Sequence, residues 1–152
     1  SINTQYNKHW LSAEQQAAFS QSTSVSKWKD IAEDSEIFPY LRYSTVGDNR
    51  VRSEHKEQDG IIKRVDDPFW NTWFPPNGWN CRCIVEQLEE AKVTEKTFKK
   101  NDDPVFGQNV GKSGLIFPNK HPYFDVPKEF KKAQKTNFGF LTLTDEQIKT
   151  FI

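Results

Sequence analysis

With 152 residues, the chain is long enough for one ordinary domain and too short for two unless both are small; its 21 basic and 21 acidic groups cancel, so the total charge calls for neither nucleic acid nor an anionic membrane. Aromatic residues make up 14% of the chain, which excludes disorder, since disordered chains are depleted in them. No run of about 18 apolar residues is present, so a membrane-spanning helix is excluded. The charge is unevenly divided: residues 1–91 carry 10 basic and 14 acidic groups, and residues 92–152 carry 11 and 7, a pattern that solvated faces account for. Met is absent, position 1 included, as expected of a fragment or a processed product.

Ser12 and Gln15 form a capping-box signature ahead of an apolar-periodic stretch over residues 13–19, with Trp10 or Leu11 as the staple. The Ser/Thr-rich residues 20–26 predict a break, after which Trp28, Ile31 and Ala32 predict a second short helix. Residues 40–46 alternate in the manner of a strand and end at the turn cluster Gly47-Asp48-Asn49. One or two helical turns are predicted over 52–58, closed by Asp59-Gly60, followed by a strand over 61–65. Residues 66–79 hold five aromatic rings and three prolines with no regular period. That stretch is too apolar for a solvated loop, so it is predicted to fold inward, with Trp79 among the buried rings and Pro75, Pro76 and Gly78 fixing the backbone.

Residues 80–88 read as a strand with Cys81, Cys83 and Val85 on one face and Arg82, Ile84 and Glu86 on the other. A short helix is predicted over 94–100, a loop-rich region over 101–130, and a last helix from Thr144 with Gln147 as its capping partner. The elements add up to an α+β fold: a single domain with short helices packed around a small antiparallel or mixed sheet, held by long aromatic and proline-rich loops.

Cys81 and Cys83 are the only cysteines, a pattern that suits a reducing compartment better than a disulfide scaffold. In an extended strand their Cα atoms would stand about 6.6 Å apart, at the outer limit for a bridge. With His55 upstream they offer two thiolates and an imidazole, ligands that tetrahedral zinc prefers. A fourth ligand would come from Asp48, His121, another group or water, and the spacing matches no standard zinc motif. The alternative is two buried cysteines acting as small hydrophobes beside a hydrogen-bonded histidine. A nucleophilic Cys/His pair is disfavoured, because a cysteine within a strand lacks the help of a helix N-terminus.

Asp66 and Asp67 point to opposite sides of an extended chain, and Asp67 ahead of proline suits a turn. Gly111-Lys112-Ser113 is not a phosphate loop, because Phe106 stands where its first glycine is needed. The basic stretches Lys96/Lys99/Lys100 and Lys128/Lys131/Lys132/Lys135 have no interleaved aromatic platform and read as solvated faces.

A longer series of segments carries more information than any one of these. Tyr43-x-Thr45, Asp48-x-Arg50-Val51-Arg52-x-x-His55, Asp59-Gly60, Asp66-Asp67-Pro68-Phe69-Trp70 and Pro75-Pro76-Asn77-Gly78-Trp79-x-Cys81-Arg82-Cys83 follow in order. The series resembles the Mu F-like minor head proteins of tailed bacteriophages and prophages, and Phe106-Gly107-Gln108-Asn109-x-Gly111-Lys112 and Phe117 through Tyr123 extend the likeness. The resemblance implies a domain over 38–124, a helical segment over 1–37 before it, and an extension over 125–152 that ends in a helix. It implies a structural part in head morphogenesis: a minor component of the virion, assembled in the host bacterial cytoplasm, near the portal and in contact with portal and other head or scaffold proteins. DNA contact during packaging or delivery belongs to the same implication, whereas catalysis does not.

A broader branch of head-morphogenesis proteins resembles a metal knuckle, Cys-x-x-Cys followed by His-x-x-Cys-x-Cys. Here Arg52 and His55 take the first pair of positions and Gly78 takes that of the later histidine, which leaves His55, Cys81 and Cys83 with ligand chemistry. The resemblance thus leaves two alternatives, a zinc ion at these three or a segment held by aromatic packing with no cofactor, and implies no other cofactor. Arg50, Arg52 and Arg82 are expected to pair with Asp48, Asp59, Asp66 or Asp67. Two other functions fit single features of the chain: a nucleic-acid-binding or nuclease module, from the basic C-terminal part and the histidines, and the delivery module of a prophage-derived toxin.

Overall fold

Helix α1 runs unbroken over Ile2–Glu33, so the predicted break at residues 20–26 does not occur and one long helix replaces two short ones. The structure, a computed structural model, describes residues 2–118, with side chains from Lys8 onward. The predicted helix from Thr144, His121, the Lys128–Lys135 run and the end of the 38–124 segment lie outside the described residues. The buried positions of α1 are Glu14, Ala17, Gln21, Ser24, Trp28 and Ile31, three or four residues apart, the spacing that aligns one helix face. Polar residues fill half of that stripe, which hides its period from a reading by hydropathy. The Ser22 and Thr23 hydroxyls donate to the carbonyls of Ala18 and Phe19 at 2.9 and 3.0 Å and so stay within the helix.

Strand β1 (Tyr40–Ser44) is the centre of a three-stranded antiparallel sheet, with β2 (Ile62–Arg64) on one side and β3 (Ile84–Leu88) on the other. Tyr40 lies opposite Arg64 of β2 and Leu88 of β3, and Tyr43 opposite Val85. Leu41 and Tyr43 point into the core, whereas Arg42 lies across from Glu86 and pairs with it. Between β1 and β2 the chain makes the short helix α2 (Ser53–Lys56) and then turns back at Gly60. Gly60 has φ of 75°, a left-handed geometry that favours glycine, and its N–H donates to the Tyr43 carbonyl at 2.9 Å.

The segment between β2 and β3 supplies most of the interior. Asp67 accepts the Phe69 N–H at 2.8 Å and caps a 3-10 turn over Pro68–Asn71, the turn expected of an aspartate ahead of proline. Phe69, Trp70, Trp73 and Phe74 are buried. Phe69 meets Trp70 edge-on at 4.8 Å and Phe98 at 5.0 Å, and Phe74 meets Trp28 of α1 edge-on at 4.9 Å. The Trp70 indole N–H donates to the Arg64 carbonyl at 2.9 Å, so burial leaves no unmet donor there. The peptide between Pro75 and Pro76 is cis.

Three expectations are corrected here. Trp79 is half-buried rather than buried: it packs edge-on against Phe106 at 5.1 Å in a satellite cluster with Ala17 and Val105. The turn at Gly78–Asn80, with Asn80 at φ of 54° and the Cys81 N–H on the Gly78 carbonyl, swings the ring away from the main core. The same turn delays β3, which begins at Ile84 rather than at residue 80, so both cysteines precede the strand. Residues 94–100 form no helix because tertiary partners take their backbone. Thr94 exchanges hydrogen bonds with Ile62 at 2.9 and 3.0 Å, the Lys63 ammonium donates to the Thr94 carbonyl at 2.7 Å, and the Trp73 indole donates to the Lys99 carbonyl at 2.7 Å.

Within the loop-rich region, Asn109 caps a one-turn helix α3 (Val110–Ser113) that packs on α1. A Cβ at Gly111 would stand 2.2 Å from the Trp28 Cβ, so only glycine lets the two backbones come this close. Lys112 reaches over the Trp28 ring at 4.9 Å and donates to Asn71 at 2.7 Å.

Candidate metal centre

His55 lies within α2, which starts where the extended Arg52 (φ −62°, ψ 148°) gives way to helical backbone. The imidazole is buried at 3% exposure and stands edge-on to Trp73 at 6.1 Å. Its Nδ1 faces both cysteines, 3.5 Å from the Cys83 Sγ and 3.9 Å from the Cys81 Sγ. The three donor atoms all lie within 4.8 Å of one another. The structure thus brings together the three residues that their ligand chemistry singled out in the sequence, even though the cysteines precede the strand in which they were expected.

The two thiols differ electrostatically. Cys81 is held well below the ordinary thiol range, chiefly because the Cys83 thiol donates to it; His55 and the backbone N–H groups of Asn77 and Cys83 help, and burial opposes. Cys83 is pushed up, first by its bond to Cys81 and then by burial. One negative charge is therefore favoured on the pair, centred on Cys81. Tyr43 closes the inner side: its hydroxyl donates to the Asn77 Oδ1 at 3.0 Å, and burial, with the negative charge shared by the cysteine pair, pushes its phenol up. Asn77 is itself fixed by donating to the Thr72 and Phe74 carbonyls, each at 3.3 Å. Sequence reading missed Tyr43 and Asn77 as neighbours of the cysteines, because Pro-Pro-Asn-Gly carries only a turn signal.

Around this cluster, Arg82 grips Asp48 with both guanidinium nitrogens, at 2.7 and 2.9 Å. Arg50 adds a backbone N–H at 3.0 Å and its side chain at 3.6 Å, and Asp48 is pulled down to about 2, mainly by Arg82. Asp48 is thereby committed to arginine. Arg52 departs from the expected pairing: it donates to the Trp79 carbonyl at 2.7 Å instead of a carboxylate. A Cβ at Gly78 would lie 3.1 Å from the Arg52 Nη1, a tight contact that the flexible guanidinium could meet with a small shift. The Asp59 carboxylate accepts the Thr45 N–H at 2.6 Å, and Asp66 pairs with Arg64 at 3.3 Å.

The remaining motif residues serve the connector rather than the cluster. Asp67, Pro68 and Trp70 build the 3-10 turn and the core, Gly60 turns the chain, and the Pro75 carbonyl accepts the buried Ser24 hydroxyl of α1 at 2.6 Å. A cavity of about 20 Å³ is bordered by His55, Cys81 and Cys83 together with Arg52 and Arg82. A wider groove of about 350 Å³ between α1 and β3 runs past Phe19, Lys27, Pro76, both cysteines and Ile84.

A family model described as "Phage Mu protein F like protein" matches residues 3–86, a span that takes in α1, the whole sheet bar its last residues, and the cysteine segment. The chain is 39% identical over 71 residues to the "Putative capsid assembly protein F" of Escherichia phage Mu, covering 47% of this chain and 16% of that relative. It is 49% identical over 61 residues to the "Mu-like prophage FluMu F protein" of Haemophilus influenzae (strain ATCC 51907 / DSM 11121 / KW20 / Rd), covering 40% of this chain and 15% of the relative. The matched part therefore spans about a sixth of each relative's length. No solved structure matches the chain.

Proposed function

Because the chain belongs to the phage Mu F-like family, we propose that it serves head assembly in a tailed phage or prophage, as a structural component that acts through protein contacts. The observation that carries this reading is the match over residues 3–86, joined to a relative whose printed name is a capsid assembly protein. In this reading the partners are the portal and other head or scaffold proteins, with DNA contact secondary. The protein assembles in the host cytoplasm and remains with the virion head. The structural role is supported physically by Phe69, Trp70, Trp73 and Phe74, whose rings are buried in the core and hold the connector to the sheet and helix.

A tagged chain used as bait against the purified portal and scaffolding proteins of its own phage or prophage is expected to retain at least one of them. Failure to retain either, with the chain shown to be folded by circular dichroism, would count against the proposal.

A further inference from the structure

We propose that His55, Cys81 and Cys83 bind one zinc ion that fastens α2 to the segment ahead of β3. The inference stands on the donor geometry and is independent of the head-assembly reading. Zinc–sulfur and zinc–nitrogen bonds of about 2.3 and 2.0–2.1 Å, set at tetrahedral angles, place a nitrogen and a sulfur about 3.6 Å apart. The Nδ1 of His55 lies 3.5 and 3.9 Å from the two sulfurs. One nitrogen facing two sulfurs at that spacing brackets the separation zinc requires, and small side-chain rotations would close the difference.

Space and charge agree with this. The cavity of about 20 Å³ bordered by all three residues is close to the room one water or one ion needs. Two thiolates neutralise a divalent cation, so the loaded cluster carries no net charge into a half-buried setting. Softness selects the metal: two sulfurs and an imidazole favour zinc over the hard cations magnesium and calcium. Asp48 supplies no fourth ligand, since Arg82 holds both its oxygens, and the Tyr43 hydroxyl is committed to Asn77. Three protein ligands therefore come from the described residues, and the fourth position falls to solvent or to a donor beyond them. The ion would join elements 26 and 28 residues apart in sequence, where a cross-link removes substantial freedom from the unfolded chain.

The test uses the full 152-residue chain. After reconstitution with zinc and extensive dialysis, elemental analysis is expected to find about one zinc per chain, with metal removal lowering the unfolding midpoint reversibly. Cobalt(II) in place of zinc should give near-ultraviolet thiolate-to-metal bands and the visible bands of a tetrahedral centre. Cys81→Ser, Cys83→Ser and His55→Gln should each weaken metal affinity by at least about tenfold, whereas Asp48→Asn should leave the stoichiometry unchanged. If a ligand variant fails to fold, the cobalt spectrum of the unaltered chain still decides. A folded chain that retains less than about a tenth of an equivalent of zinc, or a cobalt complex without thiolate bands, would overturn the proposal.

Discussion

Phe74→Ala tests how α1 is joined to the rest of the fold. Phe74 is 2% exposed and meets Trp28 at 4.9 Å with the ring planes 80° apart, so one ring couples the aromatic segment to the long helix. Truncating a fully buried phenylalanine costs about 3–5 kcal/mol, of which the edge-to-face contact accounts for about 0.5–1.5 kcal/mol. Against a total stability of about 5–15 kcal/mol this is a large fraction. With a urea slope of about 2 kcal/mol per molar, the midpoint should fall by about 2 M. Urea unfolding followed by far-ultraviolet circular dichroism measures this without relying on tryptophan emission. Trp28→Ala and the double variant complete a cycle that should return a coupling of about 0.5–1.5 kcal/mol. Trp79→Ala, at a half-buried ring, should cost roughly half as much, about 2 kcal/mol. A loss below about 1 kcal/mol for Phe74→Ala at unchanged slope, or a coupling indistinguishable from zero, would refute the reasoning.

Other expectations follow from single contacts. Gly111→Ala forces a methyl to within 2.2 Å of the Trp28 Cβ and should destabilise by about 1–3 kcal/mol in the same unfolding assay; because alanine keeps that Cβ, much of the loss should persist in a Trp28→Ala background. Ser24→Ala strands the buried Pro75 carbonyl and should cost about 1–3 kcal/mol, measured as a drop in unfolding midpoint. Carboxyl carbon shifts in an NMR titration should place Asp48 at about 2 against its ordinary 3.8. Because the folded value is the lower one, the Arg82 grip contributes fully above pH about 4 and is lost as pH falls through about 2. Arg82→Gln should move the Asp48 midpoint back toward the ordinary carboxylate range.

Much of the fold was legible because its signals are local. Alternation over residues 40–46, the Asp-Gly turn at 59–60 and the density of rings in 66–79 each correspond to an observed strand, turn and core. The long helix was not legible as one element, because Glu14, Gln21 and Ser24 occupy its buried stripe and tertiary partners such as the Pro75 carbonyl decide their placement. The same holds for residues 94–100, where Lys63 and Trp73 take the carbonyls a helix would use itself. At the candidate site, residue chemistry alone singled out His55, Cys81 and Cys83. Their supports, Tyr43 and Asn77, are set by long-range packing, and Arg52 chose a backbone carbonyl that no charge pattern announces.

The proposed part in head assembly is tested most directly on purified proheads of a phage or prophage that carries the gene for this chain. Quantitative mass spectrometry of those particles should recover peptides of this chain, at levels well below the major head protein and resistant to washing in high salt. Proheads that assemble normally and contain none of these peptides would contradict the account.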